Sequence, residues 1–166
     1  LGDPGDGPTL DLDHEAFAYA GKFVVSNTGK AVARDGDEVV AAAAFNEDRT
    51  DEGRAWIRYV TVREDRRGEG IGPRLLDHVA EYLRRQGKQV RIAVNNPYAF
   101  EAAYKAGFGY TGEETGLAEL VLERPAETAA ATYRDGMTAF GVRTDLTTDE
   151  QRFVSSRDDS DPPERV

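Results

Sequence analysis

Residues 55–87 constrain the chain more than any other stretch. AWIRYVTV (55–62) is apolar, β-branched and aromatic, the composition of a buried strand. A charged run, REDRR, follows it, and then glycine at alternate positions: Gly68, Gly70 and Gly72. An amphipathic helix is expected over about 72–86. Ile71, Leu75, Leu76, Val79 and Leu83 form its apolar stripe; Arg74, Asp77, Glu81, Arg84 and Arg85 lie opposite. Gly87 suits the left-handed position just past its end.

A glycine-lined bend lets a ligand approach the backbone. Its amides can point inward, and the helix behind it adds positive end potential, so the bend suits an anion, above all phosphate. Arg66 and Arg67 add charge there. A plain flexible turn is the competing reading. The spacing GEGIGP is not the G-x-G-x-x-G of dinucleotide folds, and no acidic residue follows about 20 positions on to close a strand. Neither Gly21-Lys22-Phe23 nor Gly29-Lys30-Ala31 carries the Ser or Thr of a Walker loop.

The rest of the chain sets bounds. Its 166 residues suffice for one domain with tails. Net charge is −10, which disfavours nucleic acid and anionic membranes as partners. No apolar run approaches the ~20 residues of a membrane helix. The acidic start lacks the basic and apolar segments of a signal peptide. There is no cysteine, so thiol nucleophiles and Cys-bound zinc are excluded, and two histidines are too few for a His-based metal site. Seventeen arginines against four lysines, with 16 aspartates, resemble proteins adapted to high internal salt. On that reading stability rises in molar KCl, and the setting is cytoplasmic.

Before the strand, TLDLD (9–13) alternates like a short strand, and HEAFAYAGKFV (14–24) is expected as a short helix capped by Asp13. GKAVARDGDEVVAAAAF is expected as a hairpin turning at Asp35-Gly36, and NEDRTDEGR (46–54) as a charged loop. After the helix, QVRIAV (89–94) is a strand. Asn96-Pro97 caps a helix, PYAFEAAYKA, that Gly107 ends. FGYTG and GLAELVLERP are two closing strands. The order makes a layered, mixed α/β fold. Residues 1–8 are expected to be a mobile N-terminus and 9–125 the domain. Residues 126–166 form a helical appendage, with Gly136 interrupting one helix, Thr147 to Glu150 boxing another, and a disordered tail; a docking or dimerisation arm, with a homodimer in view, is one role for it.

VTVREDRRGEGIGPRLLDHVAEYLRRQG resembles the main acetyl-CoA motif of the GNAT superfamily of N-acetyltransferases. Arg67, Gly70 and Gly72 match its [RQ]-x-x-G-x-[GA], with Val60, Thr61 and Val62 closing the strand. Asn96, Ala99 and Gly107-Phe108 match the family's N-x-x-A segment and later G-F pair. The resemblance covers about Trp56 to Phe108. It implies a mixed central sheet with an antiparallel meander, splayed central strands and flanking helices. It implies that the amides of Gly68, Glu69, Gly70, Ile71 and Gly72 hold the pyrophosphate of coenzyme A, that Val60 and Val62 pair with the pantetheine arm, and that Asn96 lies near it. It implies acetyl transfer from acetyl-CoA to an amine acceptor, a small molecule or a protein amine. An acyl-CoA-binding regulatory module without turnover is the alternative.

Three departures qualify the resemblance. The family's tyrosine, four residues before the G-F glycine, falls at Ala103; Tyr104 is one residue on, about 100° around the helix. Tyr104 is the candidate proton donor, with Tyr98 a weaker one. AWIRYVTV carries no carboxylate base, which leaves Glu47, Asp48, Asp51 and Glu52 in the preceding segment. Residues 14–29 hold at most one short helix where the family has two. Pro73 also removes an amide at the helix start.

Overall fold

The computed structural model describes residues 9–24, 27–125, 129–143, 145–157 and 161–166. The expected mobile start, residues 1–8, lies outside them. The fold is a mixed α/β sheet with flanking helices, in the strand order β1 (Gly29–Asp35), β2 (Glu38–Asp48), β3 (Asp51–Val62), β4 (Gln89–Val94), β6 (Leu120–Arg124), β5 (Gly109–Glu114). Its residues group into two compact units, Leu1–Val90 and Arg91–Val166.

The first unit contains the meander β1 (Gly29–Asp35), β2 (Glu38–Asp48) and β3 (Asp51–Val62), each strand antiparallel to the next. Gly36, at φ +62°, makes the first turn possible. Ala41 to Ala44 of β2 are all fully buried, because both faces of the strand are covered and methyl groups let both layers approach. On one face Ala42 and Ala44 pack with Leu12, Phe17, Ala20 and Phe23. Helix α1 (Ile71–Arg85) buries Leu75, Leu76, Val79, Ala80 and Leu83 and packs on all three strands. Each of the leucine and valine side chains contributes roughly 1.5–3 kcal/mol relative to exposure. Gly87, at φ +81°, ends α1: its amide bonds the Arg84 carbonyl and the Lys88 amide the Leu83 carbonyl.

Three expectations here need correction. Residues 9–13 are not a strand; Leu10 is held by one amide bond to the Phe23 carbonyl (2.8 Å), and the alternation reflects Leu10 and Leu12 packing onto the sheet. Residues 14–24 are turns and a single 3-10 turn, Ala20–Lys22, since Tyr19 adopts φ +60° and breaks any helix. Asp13 still caps, accepting the Glu15 amide at 2.9 Å. Residues 46–54 are not a loop. The strands run on to a tight turn at Arg49-Thr50, made by Asp48 accepting the Thr50 amide at 2.8 Å.

Strand β4 (Gln89–Val94) leads into the second unit. There α2 (Pro97–Lys105), β5 (Gly109–Glu114), β6 (Leu120–Arg124), α3 (Ala129–Gly141) and α4 (Thr148–Ser156) follow, with β5 and β6 antiparallel. Phe100, Tyr104, Tyr133 and Phe140 form its aromatic core. The buried Glu101 carboxylate accepts from Tyr133 Oη (3.0 Å) and from Arg157 Nε (2.7 Å), so α4 is tied to α2. Gly136 does not interrupt α3. It lies under the Phe100 ring, where only a hydrogen atom fits. The capping box of Thr147 and Glu150 is present. Of the C-terminal tail, residues 158–160 lie outside the described residues, while the Val166 amide bonds the Lys105 carbonyl at 2.9 Å.

Candidate functional site

In the first unit the chain leaves β3 under control. A bulge places Val40 of β2 opposite the Ala33–Arg34 step, and its carbonyl accepts the Arg63 amide at 2.8 Å. The Glu64 amide bonds the Ala16 carbonyl at 2.9 Å, and Glu64–Arg66 form a 3-10 turn. Two left-handed glycines follow, Gly68 at φ +84° and Gly70 at φ +78°. A side chain at either would be strained, and a Cβ at either would meet no atom within 4 Å. The bend is therefore open on the side where side chains are missing. Gly72 has a different task. Its Cβ would lie 3.3 Å from Val62 Cγ2, so glycine there lets α1 come close to β3.

Gly70 is the N-cap of α1 and offers no side chain to the first-turn amides. Those donors, with the positive end of a 15-residue helix, face the open bend. The neighbouring cations are not equivalent. Arg66 is held between Glu69 Oε2 and Asp35 Oδ2, both at 2.9 Å. Arg63 is held between Asp65 (2.6 Å) and Glu38 (3.2 Å). Arg67 is exposed, reaches the Val62 carbonyl only at 3.4 Å, and has no carboxylate partner among the described residues. Of the three arginines it is the one without a carboxylate among the described residues. Val60 and Val62 are half-buried; Thr61 is buried, with no hydrogen bond to Oγ1 among the described residues. The cradle thus fits a diphosphate: open backbone donors, a free guanidinium and no blocking side chain.

The second unit holds the other candidates, at opposite ends of α2. Asn96 Oδ1 accepts the Ala99 amide at 2.9 Å, so its side chain caps the helix. Tyr104 is buried. Its hydroxyl lies 2.6 Å from Thr132 Oγ1 and accepts the Tyr110 amide at 3.0 Å, and burial raises its pKa. Tyr98 is exposed, with its ring 4.6 Å from that of Phe153. The structure brings the loop candidates 60–72 together in one continuous segment; Asn96 and Tyr104 belong to the other unit.

Glu47, Asp48 and Asp51 are engaged in the β2–β3 hairpin. Asp48 accepts from Trp56 Nε1 (2.8 Å) and from the Thr50 amide and hydroxyl; these bonds hold its carboxyl well below the usual range, against the opposing effect of burial and with help from Arg54. Glu47 pairs with Lys88 at 3.3 Å, and Asp51 accepts the Gly53 amide at 2.9 Å. Glu52 is exposed. Sequence reasoning missed Val40, because a bulge inside an alanine-rich strand leaves no local mark.

The model of the acetyltransferase (GNAT) family matches residues 5–110, well over half of the chain. The chain belongs to the GNAT acetyltransferase family.

Solved structures agree at the level of fold. An acetyltransferase from Thermus thermophilus is 22% identical, with 60% of this GNAT chain and 64% of that one covered and a TM-score of 0.52. For nourseothricin acetyltransferase the values are 20%, 60%, 66% and 0.51. YncA from Salmonella typhimurium, solved with its cofactor acetyl-CoA, gives 21%, 62%, 68% and 0.50. The chain thus spans about two thirds of the length of these relatives. No curated protein matches it in sequence.

Proposed function

We propose that this GNAT chain moves an acetyl group from acetyl-CoA to a primary amine. The observation that carries the reading is the pair of left-handed, open-sided glycines ahead of an uncapped helix start. In this reading the amides from Gly68 to Gly72 and the Arg67 guanidinium hold the diphosphate. The backbone of Val60 and Val62 receives the pantetheine arm. Coenzyme A supplies the activated acetyl thioester. The protein supplies binding and orientation, and positioning alone can lower such a barrier by several kcal/mol. With Glu47, Asp48 and Asp51 engaged, the attacking amine loses its proton to solvent. Tyr104, with its hydroxyl doubly bonded, serves to hold α3 and β5 to α2 rather than to protonate the thiolate. Residues 9–125 form the transferase domain, 126–166 are its C-terminal addition, and a dimer and a cytoplasmic setting belong to the same reading. Among the described residues no helix is long and apolar enough to cross a membrane.

The engaged state of Tyr104 and Asp48 also favours a second reading, an acyl-CoA-binding regulatory module without turnover. Two measurements separate the readings. Calorimetry with acetyl-CoA should show binding to the wild type and none to Gly70→Glu, with unchanged circular dichroism. Thiol release across a panel of amines should then appear. Binding without release on any amine selects the module; no binding ends both.

A further inference from the structure

We propose that the cavity between the β1–β2 hairpin and α1 is a second ligand site, which takes a small organic dianion with an apolar body, such as an aryl phosphate. The cavity is about 470 Å³, within the usual range for small-molecule sites. Its apolar part comes from Val40 of the hairpin and from Ile71 and Leu75 of α1. Val40 and Leu75 are buried. Its rim carries Arg34, Arg66, Arg74 and His78.

The charge balance points to the ligand. Asp35 is the one carboxylate among the lining residues, and Arg66 already bonds it at 2.9 Å. The side chains of Arg34 and His78 make no hydrogen bond or ion pair with any described residue, and the Arg74 side chain makes only a 3.4 Å contact to the Gly70 carbonyl. Two guanidinium charges are thus left uncompensated on one rim, in a chain of net charge −10. Elsewhere Arg54, Arg63 and Arg91 each find two carboxylates. Like charges gathered over low-dielectric walls focus a positive potential, and a dianion matches the surplus of two. The bidentate fork of arginine suits phosphate in particular.

The site is separate from the diphosphate cradle. Neither Gly68 nor Gly70 lines it; it borders the cradle only at Ile71, and its other walls are the edge strand β1 and the flank of α1. The inference does not depend on acetyl transfer.

Calorimetry with phenyl phosphate at low ionic strength tests it on the whole chain, with three comparisons. Binding to the wild type should be roughly tenfold tighter than that of inorganic phosphate, because the ring covers the apolar part. Arg34→Gln with His78→Gln should weaken it by about tenfold or more, the usual effect of losing hydrogen bonds to a charged group. Saturating acetyl-CoA, which would fill the cradle, should leave it unchanged. Absence of phenyl phosphate binding, equal affinity for inorganic phosphate, indifference to Arg34→Gln with His78→Gln, or loss in the presence of acetyl-CoA would each overturn the proposal.

Discussion

The Phe100 ring occupies the space that a side chain at residue 136 would need: a Cβ built on Gly136 falls 2.1 Å from Phe100 Cζ and 2.4 Å from Cε2. The ring is fully buried among Tyr104, Tyr133 and Phe140, so it has nowhere to retreat. In an exposed helix, Gly→Ala would stabilise by about 1 kcal/mol. Here overpacking of about 1–3 kcal/mol or more outweighs that gain. Gly136→Ala should lower the melting temperature by several degrees, at roughly 2–4 °C per kcal/mol for a chain of this size. Scanning calorimetry checks it, and a raised melting temperature would show that the aromatic core has slack.

Gly70 should behave differently, because its Cβ direction is open and only its φ of +78° resists substitution. Gly70→Ala should cost about 1–2 kcal/mol of stability through the left-handed conformation. It should also weaken acetyl-CoA binding, since the methyl group projects into the ligand's side of the bend. Isothermal calorimetry beside thermal melting separates the two effects; a stability loss with unaltered affinity would place the ligand elsewhere.

For Tyr104 the two roles make opposite forecasts. As a packing residue, Tyr104→Phe removes the acceptor of the Tyr110 amide and costs about 1–3 kcal/mol of stability, while turnover changes only severalfold. As a proton donor, its loss would lower kcat by about 10²–10⁴-fold. The first outcome is expected. Steady-state kinetics on the purified variant decides, with the melting temperature measured in parallel.

Asp48 should leave a mark on the acid side of the stability profile. Its folded-state pKa lies below the ordinary carboxylate value, first through the Trp56 indole bond and then through Thr50. A depressed carboxylate contributes stability above its unfolded pKa of about 3.9 and loses it as pH falls toward the folded value. Asp48→Asn should therefore melt lower than the wild type at pH 7. The gap should narrow as pH drops below about 4. A gap that stayed constant from pH 7 to 2 would mean that the hairpin turn does not need the charge.

The strand, the glycine bend and α1 were legible because each has a local cause. The apolar stripe of Leu75, Leu76, Val79 and Leu83 repeats at helical spacing, and Asn96-Pro97 caps α2 through atoms three residues apart. Errors came where local and long-range forces disagree. The acids of 46–54 look like a solvated loop, yet Asp48 turns the chain and bonds Trp56, and the strands run on. The segment 14–24 has helical composition, but Tyr19 at φ +60° is held where Leu12, Phe17 and Phe23 must reach Ala42 and Ala44.

The amino-acid order alone settled which backbone could lie bare: glycine at 68 and 70 adopts those dihedrals without the strain a side chain would bring, so the cradle is written in two letters. Tertiary structure decided which charges remain available. Arg63, Arg66 and Arg67 are chemically alike and close in the chain, and only the folded positions of Asp35, Glu38, Asp65 and Glu69 neutralise the first two and spare the third. Asp35 and Glu38 come from a hairpin some 30 residues earlier in the chain, and pairing over that separation is set by packing, not by any local pattern.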